Sequence, residues 1–222
     1  MSRAASAAAS IGYRQTEVAL RQGSAPQEIY LAVGIALSWW EGSEDVLMGV
    51  FHWLCAKAEP TAFETYVTSS RGNRGKMLLA ALKRYQSRFL PDELNEIRSA
   101  LKVLDKLAPV RNEIAHGHVA ENTRTEDGVV VMAGSFLMPS LNEGGWHERS
   151  YRYAHTAVEI DDWREKVRTQ RARIMDASFA ARIREQEAHQ ALDMSVKMTI
   201  SIAEAITERR VSPDKFELVR KT

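Results

Sequence analysis

The 222-residue sequence predicts a mainly α protein: an antiparallel helical bundle with a small β-hairpin inserted before a long C-terminal helix. Three observations lead there. Apolar residues recur at three- and four-residue spacing in two long stretches, at Val33, Leu37, Trp40, Leu47, Phe51 and Leu54 and again at Leu94, Ile97, Leu101, Leu104 and Leu107. That is the period of a helix with one buried face. A Val- and Phe-bearing stretch, 126–140, is separated from the Tyr-bearing stretch 147–157 by Asn142-Glu143-Gly144-Gly145, a turn signal between two strand patterns. Thr156 followed by Glu159 reads as a capping box that opens the last helix.

Composition bounds the function. Hydrophobic residues make up 45% of the chain and charged residues 27%, enough apolar surface to bury a core and too much for wholesale disorder. The formal net charge is +1, so a nucleic-acid-binding surface has to be local. Cys55 is the one cysteine, which excludes an internal disulfide and suits a reducing cytoplasm. The first ten residues lack the apolar core of a signal peptide, and the apolar-rich run 29–40 is too short to span a bilayer. A cytoplasmic protein with no membrane partner is expected. Its parts are a mobile segment at 1–24, a helical domain at 25–186 with the hairpin at about 127–156, and a helical arm and tail at 187–222.

The first helix has Ser24 as its expected N-cap and Pro26 in its first turn, and it ends before Pro60. Gly34, Gly42 and Gly49 lie inside it. Each costs about 1 kcal/mol relative to Ala, which close approach of a second helix would explain. Between Trp40 and Leu47 the period falls on Glu44, and a buried carboxylate requires a partner or a wet cleft. A short helix over 61–68 follows. After it, Arg71, Arg74, Lys76, Lys83, Arg84 and Arg88 occur with no acid among them, which reads either as a solvated face or as a phosphate-contacting strip. The next long helix opens at Pro91 and stops at Gly117, expected to supply a left-handed C-terminal stop. Pro109 predicts a kink. Arg111 occupies the next position of the apolar stripe after Leu107 and Ala108. Two opposite charges on two apolar stripes, Glu44 and Arg111, are therefore expected to meet or to share one polar cavity.

That helix ends in Arg111-Asn112-Glu113-Ile114-Ala115-His116-Gly117-His118. Asn112 and His116 are i,i+4 neighbours, and Arg111 lies about 140° round from His116. Arg, Asn and His at this spacing, with Gly following, resemble the R-x(4–6)-H motif of the HEPN superfamily. A helix carrying Trp39, Trp40, Glu41 and Glu44, the GKMLLAAL segment and an extended hairpin after the HG also suit that group, over roughly 25–163. The resemblance implies an α-helical domain of the kind found in toxin–antitoxin and other defence systems. It implies metal-independent ribonuclease chemistry at Arg111, Asn112 and His116, in a composite site formed by a homodimer. His116 would move protons, since an imidazole titrates near neutrality. The Arg111 fork would hold phosphate oxygens, and Asn112 would orient His116 or touch the phosphate. Glu44 and His118 would support the site. His116 and His118 lack the Cys or carboxylate companions that zinc requires, so neither metal nor cofactor is expected.

Arg71, Arg74, Lys76 and Arg84 are the candidate RNA contacts of the basic run. Tyr151 and Tyr153, alternating with Arg149 and His155, either stack bases or cover the helical core. Ile160, Trp163, Val167 and Ile174 set the last helix against the core, and seven basic residues against two acids between Arg164 and Arg184 extend the basic character. Beyond it, a Met- and Ile-bearing helix suits dimerisation or partner binding. Two function classes result. The first is a HEPN-type endoribonuclease acting on single-stranded RNA, a toxin or defence effector with an antitoxin or regulatory protein as partner. The alternative is a catalytically inactive module that binds RNA, nucleotide or a protein through the same cleft.

Overall fold

The structure, a computed structural model, describes residues 20–55, 60–126, 129–138 and 154–211. Its elements run β1 (Arg21–Gln22), α1 (Pro26–Cys55), α2 (Pro60–Thr68), α3 (Arg71–Arg84), a 3₁₀ turn (Gln86–Arg88), α4 (Pro91–His116), β2 (His118–Glu126), β3 (Val129–Met138) and α5 (Ala157–Val211). The protein is mainly helical, with one small three-stranded sheet and a long C-terminal helix. No described helix is long and apolar enough to cross a membrane. The residues fall into two compact units, 1–46 with 101–171 and 47–100 with 172–222.

In the first unit the sheet has the order β1-β3-β2. β2 pairs antiparallel with β3 from His118 opposite Met138 to Glu126 opposite Val129, with a register shift between Arg124 and Thr125. β1 runs parallel to β3. β3 thus pairs with β2, a strand that precedes it and was not expected. In the sequence Asp127-Gly128 separates the two strands, and Asp-Gly between strand patterns is the strongest short hairpin signal. β2 was missed because Val119 and Ala120 are the only apolar residues of His118–Glu126 and they are adjacent rather than alternating. Of the expected second strand only the end is described, where His155 bridges Leu137; Tyr151 and Tyr153 lie outside the described residues. On β3, Met132, Phe136 and Met138 alternate onto one face and bury themselves with Ala154.

The helices of this unit close the core from Ile29, Ala32, Ala36 and Trp40 on α1, Leu104 and Ile114 on α4, and Ile160, Trp163 and Val167 on α5, all buried. The Trp40 and Trp163 rings stack with centroids 5.6 Å apart. The α1 stripe passes through small residues, so the buried position after Trp40 is Ser43, whose hydroxyl donates to the Trp39 carbonyl at 2.9 Å. The capping box is formed: the Thr156 N–H donates to Glu159 Oε2 at 2.8 Å and the Glu159 N–H to the Thr156 hydroxyl at 3.2 Å. Burial pushes the Glu159 carboxyl up, but the Thr156 N–H, the Arg21 guanidinium and the Thr156 hydroxyl together hold it below the ordinary carboxylate range. Ser24, expected to cap α1, instead accepts the Ala157 N–H of α5 at 3.0 Å, so a residue near one helix start closes another.

The second unit packs Leu47, Val50, Phe51 and Leu54 of α1 with Tyr66, Leu78, Leu82, Phe89 and Ile97, and with Ile174, Ala177 and Ala181 of α5. Phe51 and Tyr66 stack at 4.2 Å. Ion pairs join Arg173 to Glu96 and Arg184 to Glu93. The Arg184 guanidinium holds the Glu93 carboxyl below its usual range. From residue 186 to 204 every position of α5 is exposed, including Leu192, Met194, Val196, Met198, Ile200 and Ile202. At 100° per residue this alternation draws two apolar stripes on nearly opposite sides of the helix, Leu192/Val196/Ile200 and Met194/Met198/Ile202.

The α1 glycines divide. A Cβ on Gly42 would meet the Arg171 guanidinium at 3.4 Å, and Gly49 faces Arg182, which donates to the Gly49 carbonyl at 2.7 Å. The neighbours are thus arginine heads rather than a helix backbone. Gly34 has nothing within 4 Å of a built Cβ. Gly34→Ala is therefore expected to stabilise the protein by about 1 kcal/mol through helix propensity, read as a shifted urea midpoint at unchanged slope; a lower midpoint would mean an unseen contact.

Candidate functional site

The motif occupies the last turns of α4, and Ile114 fixes its orientation because that side chain is 1% exposed. Asn112 and His116 lie two residues to either side, about 160° from Ile114 by helical geometry, and both are exposed. Arg111 lies about 60° from Ile114 and is half-buried, at 31% side-chain exposure. Glu113, on the other flank, is also half-buried. Around the helix surface the order is Arg111, Asn112, His116, Glu113.

Arg111 meets a carboxylate, but that of Glu41 rather than the expected Glu44: Nη2 to Glu41 Oε1 is 3.1 Å. Nη1 donates to Asn112 Oδ1 at 3.4 Å, and Nε is buried with no hydrogen-bond partner among the described residues. The difference from expectation is one helical turn. Because Ala32, Ala36 and Ser43 rather than Val33 and Leu37 set the buried line of α1, Glu44 rotates to a half-buried flank with interactions of its own. Glu41 is 62% exposed, and a pair this wet contributes about 0–1 kcal/mol.

Gly117 joins α4 to β2. A Cβ there would lie 2.8 Å from the Met138 carbonyl, 2.9 Å from the Glu113 carbonyl and 2.9 Å from Leu137 Cγ. The requirement is space and not the left-handed stop expected, since the described glycine with positive φ is Gly134, at 113°. His118 begins β2 opposite Met138 and is exposed. No three His, Cys, Asp or Glu among the described residues are grouped to hold a metal ion.

A contact absent from the sequence reading stands beside the motif. His155 Nε2 lies 3.0 Å from Glu113 Oε2, with the two side chains 19% and 25% exposed. Forty-two residues separate them, so no local periodicity could have joined them. The half-buried acid next to Asn112 was the available signal.

Arg71, Arg74, Lys76 and Arg84 belong to the second compact unit, while Arg111, Asn112 and His116 belong to the first. Lys76 and Arg84 are exposed, Arg71 and Arg74 half-buried. Arg74 Nε donates to the Ser69 carbonyl at 3.0 Å, and Arg84 lies over the Tyr85 ring at 5.6 Å. Arg88 reaches the Trp53 carbonyl and Glu185. The arginines of α5 are engaged as well: Arg164 and Arg168 with Glu165, Arg171 over Trp39, Arg173 with Glu96 and Arg184 with Glu93. Their number overstates the free positive charge.

Comparison of the chain with protein-family models, with curated proteins and with solved structures finds no match.

Proposed function

We propose that this protein is a metal-independent endoribonuclease of the HEPN type, cutting single-stranded RNA at Arg111, Asn112 and His116 in a composite homodimer site. The supporting observation is the exposure of Asn112 and His116 directly opposite buried Ile114, with the Arg111 fork alongside. Two side chains that a structural helix end would not need are thereby presented together to solvent, beside a half-buried guanidinium. An imidazole can transfer the proton, and a guanidinium can stabilise charge on the phosphorane. Lys76 and Arg84, with Arg71 and Arg74, would add sequence-independent phosphate contacts. A cytoplasmic toxin or defence effector, held in check by an antitoxin or regulatory protein, is the role that fits.

The test is incubation of purified protein with single-stranded RNA in EDTA. Products ending in 2′,3′-cyclic phosphate, untouched DNA and a light-scattering mass twice 25.0 kDa are expected. RNA left whole by the wild type, with binding retained, would select the second reading, a catalytically silent RNA-, nucleotide- or protein-binding module. The Glu41–Arg111 pair favours that reading, because it occupies the phosphate clamp.

Glu41→Gln separates the two. Removing the carboxylate changes stability by less than ~1 kcal/mol and frees the Arg111 fork. Cleavage by the variant is expected to rise several-fold, with a lower KM. A variant that cuts no better than wild type would make the pair irrelevant to phosphate binding.

A further inference from the structure

Transesterification of RNA needs two proton transfers, one from the 2′-OH and one to the departing 5′-oxygen. Within one protomer the motif supplies one imidazole, His116, and the composite homodimer site a second copy of it. The helix surface places a different one beside it: Glu113 and His116 are i,i+3 neighbours on α4, with Cβ atoms about 5–6 Å apart, and Glu113 Oε2 holds His155 Nε2 at 3.0 Å. His155 is fixed at backbone level too, exchanging both hydrogen bonds with Leu137 at 2.8 and 2.9 Å. Leu137 in turn packs against Gly117, the residue after His116. The surface order thus becomes Arg111, Asn112, His116, Glu113, His155, with His116 in the middle.

The carboxylate also selects a tautomer. A carboxylate accepts, so Nε2 is the donor of this hydrogen bond, and in a neutral His155 the lone pair falls on Nδ1. Nδ1 has no hydrogen-bond partner among the described residues. Outward-facing His116 has no hydrogen bond among them either. One imidazole is oriented by a carboxylate, and its neighbour faces solvent.

We propose that His155, oriented by Glu113, is the general base of the ribonuclease site, with His116 as the acid; the inference rests on the ribonuclease reading above. His155 Nδ1 takes the proton of the 2′-OH as that oxygen forms its bond to phosphorus. The bond from phosphorus to the 5′-oxygen breaks, and the His116 imidazolium gives that oxygen its proton. The products are a 2′,3′-cyclic phosphate and a 5′-OH, with His155 now protonated and His116 neutral. Water exchanges the two protons back. Glu113 is a positioning residue, touching the base and not the RNA.

The experiment compares full-length wild type, His155→Gln, His155→Ala and Glu113→Gln on single-stranded RNA in EDTA. His155→Gln is expected to lower kcat by ~10²–10⁴-fold with KM nearly unchanged, and added imidazole to restore part of the His155→Ala activity. Glu113→Gln lowers kcat less, and ring-nitrogen NMR of His155 shows the Nε2–H tautomer of the wild type giving way to a mixture. Wild type and His155→Gln cutting equally would overturn the assignment of His155 and leave the ribonuclease reading standing; an inert wild type overturns both. Loss of cutting with a lowered melting temperature and no response to imidazole would make His155 a packing residue. That also overturns the proposal.

Discussion

His116→Ala is expected to reduce RNA cleavage by ~10²–10⁴-fold, the usual contribution of a proton-transfer group, while the melting temperature stays where it was. The second half follows from exposure. His116 lies on the solvent side of α4, opposite Ile114, so truncation opens no cavity and leaves no buried group unpaired. Exposed substitutions of this kind stay within about ±0.5 kcal/mol. Arg111→Ala is a poorer probe, because it strands Glu41 and empties a half-buried position. Equal activity of wild type and His116→Ala would remove the motif from the chemistry altogether.

Trp163→Ala carries the largest expected effect on stability, a loss of about 3–5 kcal/mol. The indole is 4% exposed, stacks on Trp40, and its Nε1–H donates to the Leu107 carbonyl at 3.2 Å. Removing it leaves a large cavity between three helices of the first unit and takes a second donor from the Leu107 carbonyl, two residues before Pro109. Equilibrium urea denaturation measures the change. A loss below about 1 kcal/mol would mean the stack is dispensable. Because Leu107 lies one turn before Arg111, cleavage is expected to fall even at temperatures where the variant is folded.

The long helices were legible in the sequence because large apolar residues at Trp40, Leu47, Phe51, Leu104, Ile160 and Trp163 are buried where their period places them. The capping box at Thr156 was legible because both halves lie within four residues. What escaped had no local mark. Ala32, Ala36 and Ser43 outrank Val33 and Leu37 on the buried line of α1, since small side chains let the stacked tryptophans and neighbouring helices approach, and that rotation exchanged Glu44 for Glu41 at Arg111. β2 alternates exposure through Glu121, Thr123 and Thr125, yet none of its inward positions is strongly apolar. Ser24 on Ala157 and Glu113 on His155 are contacts across 133 and 42 residues, which only the folded chain creates. The motif residues themselves were visible as types; the exposure of Asn112 and His116 opposite Ile114 required the helix to be oriented.

The strict alternation of Leu192, Met194, Val196, Met198, Ile200 and Ile202 satisfies two codes at once. On a strand it would place all six on a single face; on α5 it draws two opposed stripes. Pattern therefore does not choose between them, and Val196, Thr199, Ile200 and Ile202 prefer a strand by their branching. The helix persists there by propagation. Ile174, Ala177, Ser178 and Ala181 anchor the preceding turns in the core, so each further residue adds a hydrogen bond to a nucleus already formed. Detached from that stem, the same eleven residues would face the full nucleation penalty with a sequence suited to pairing edge to edge.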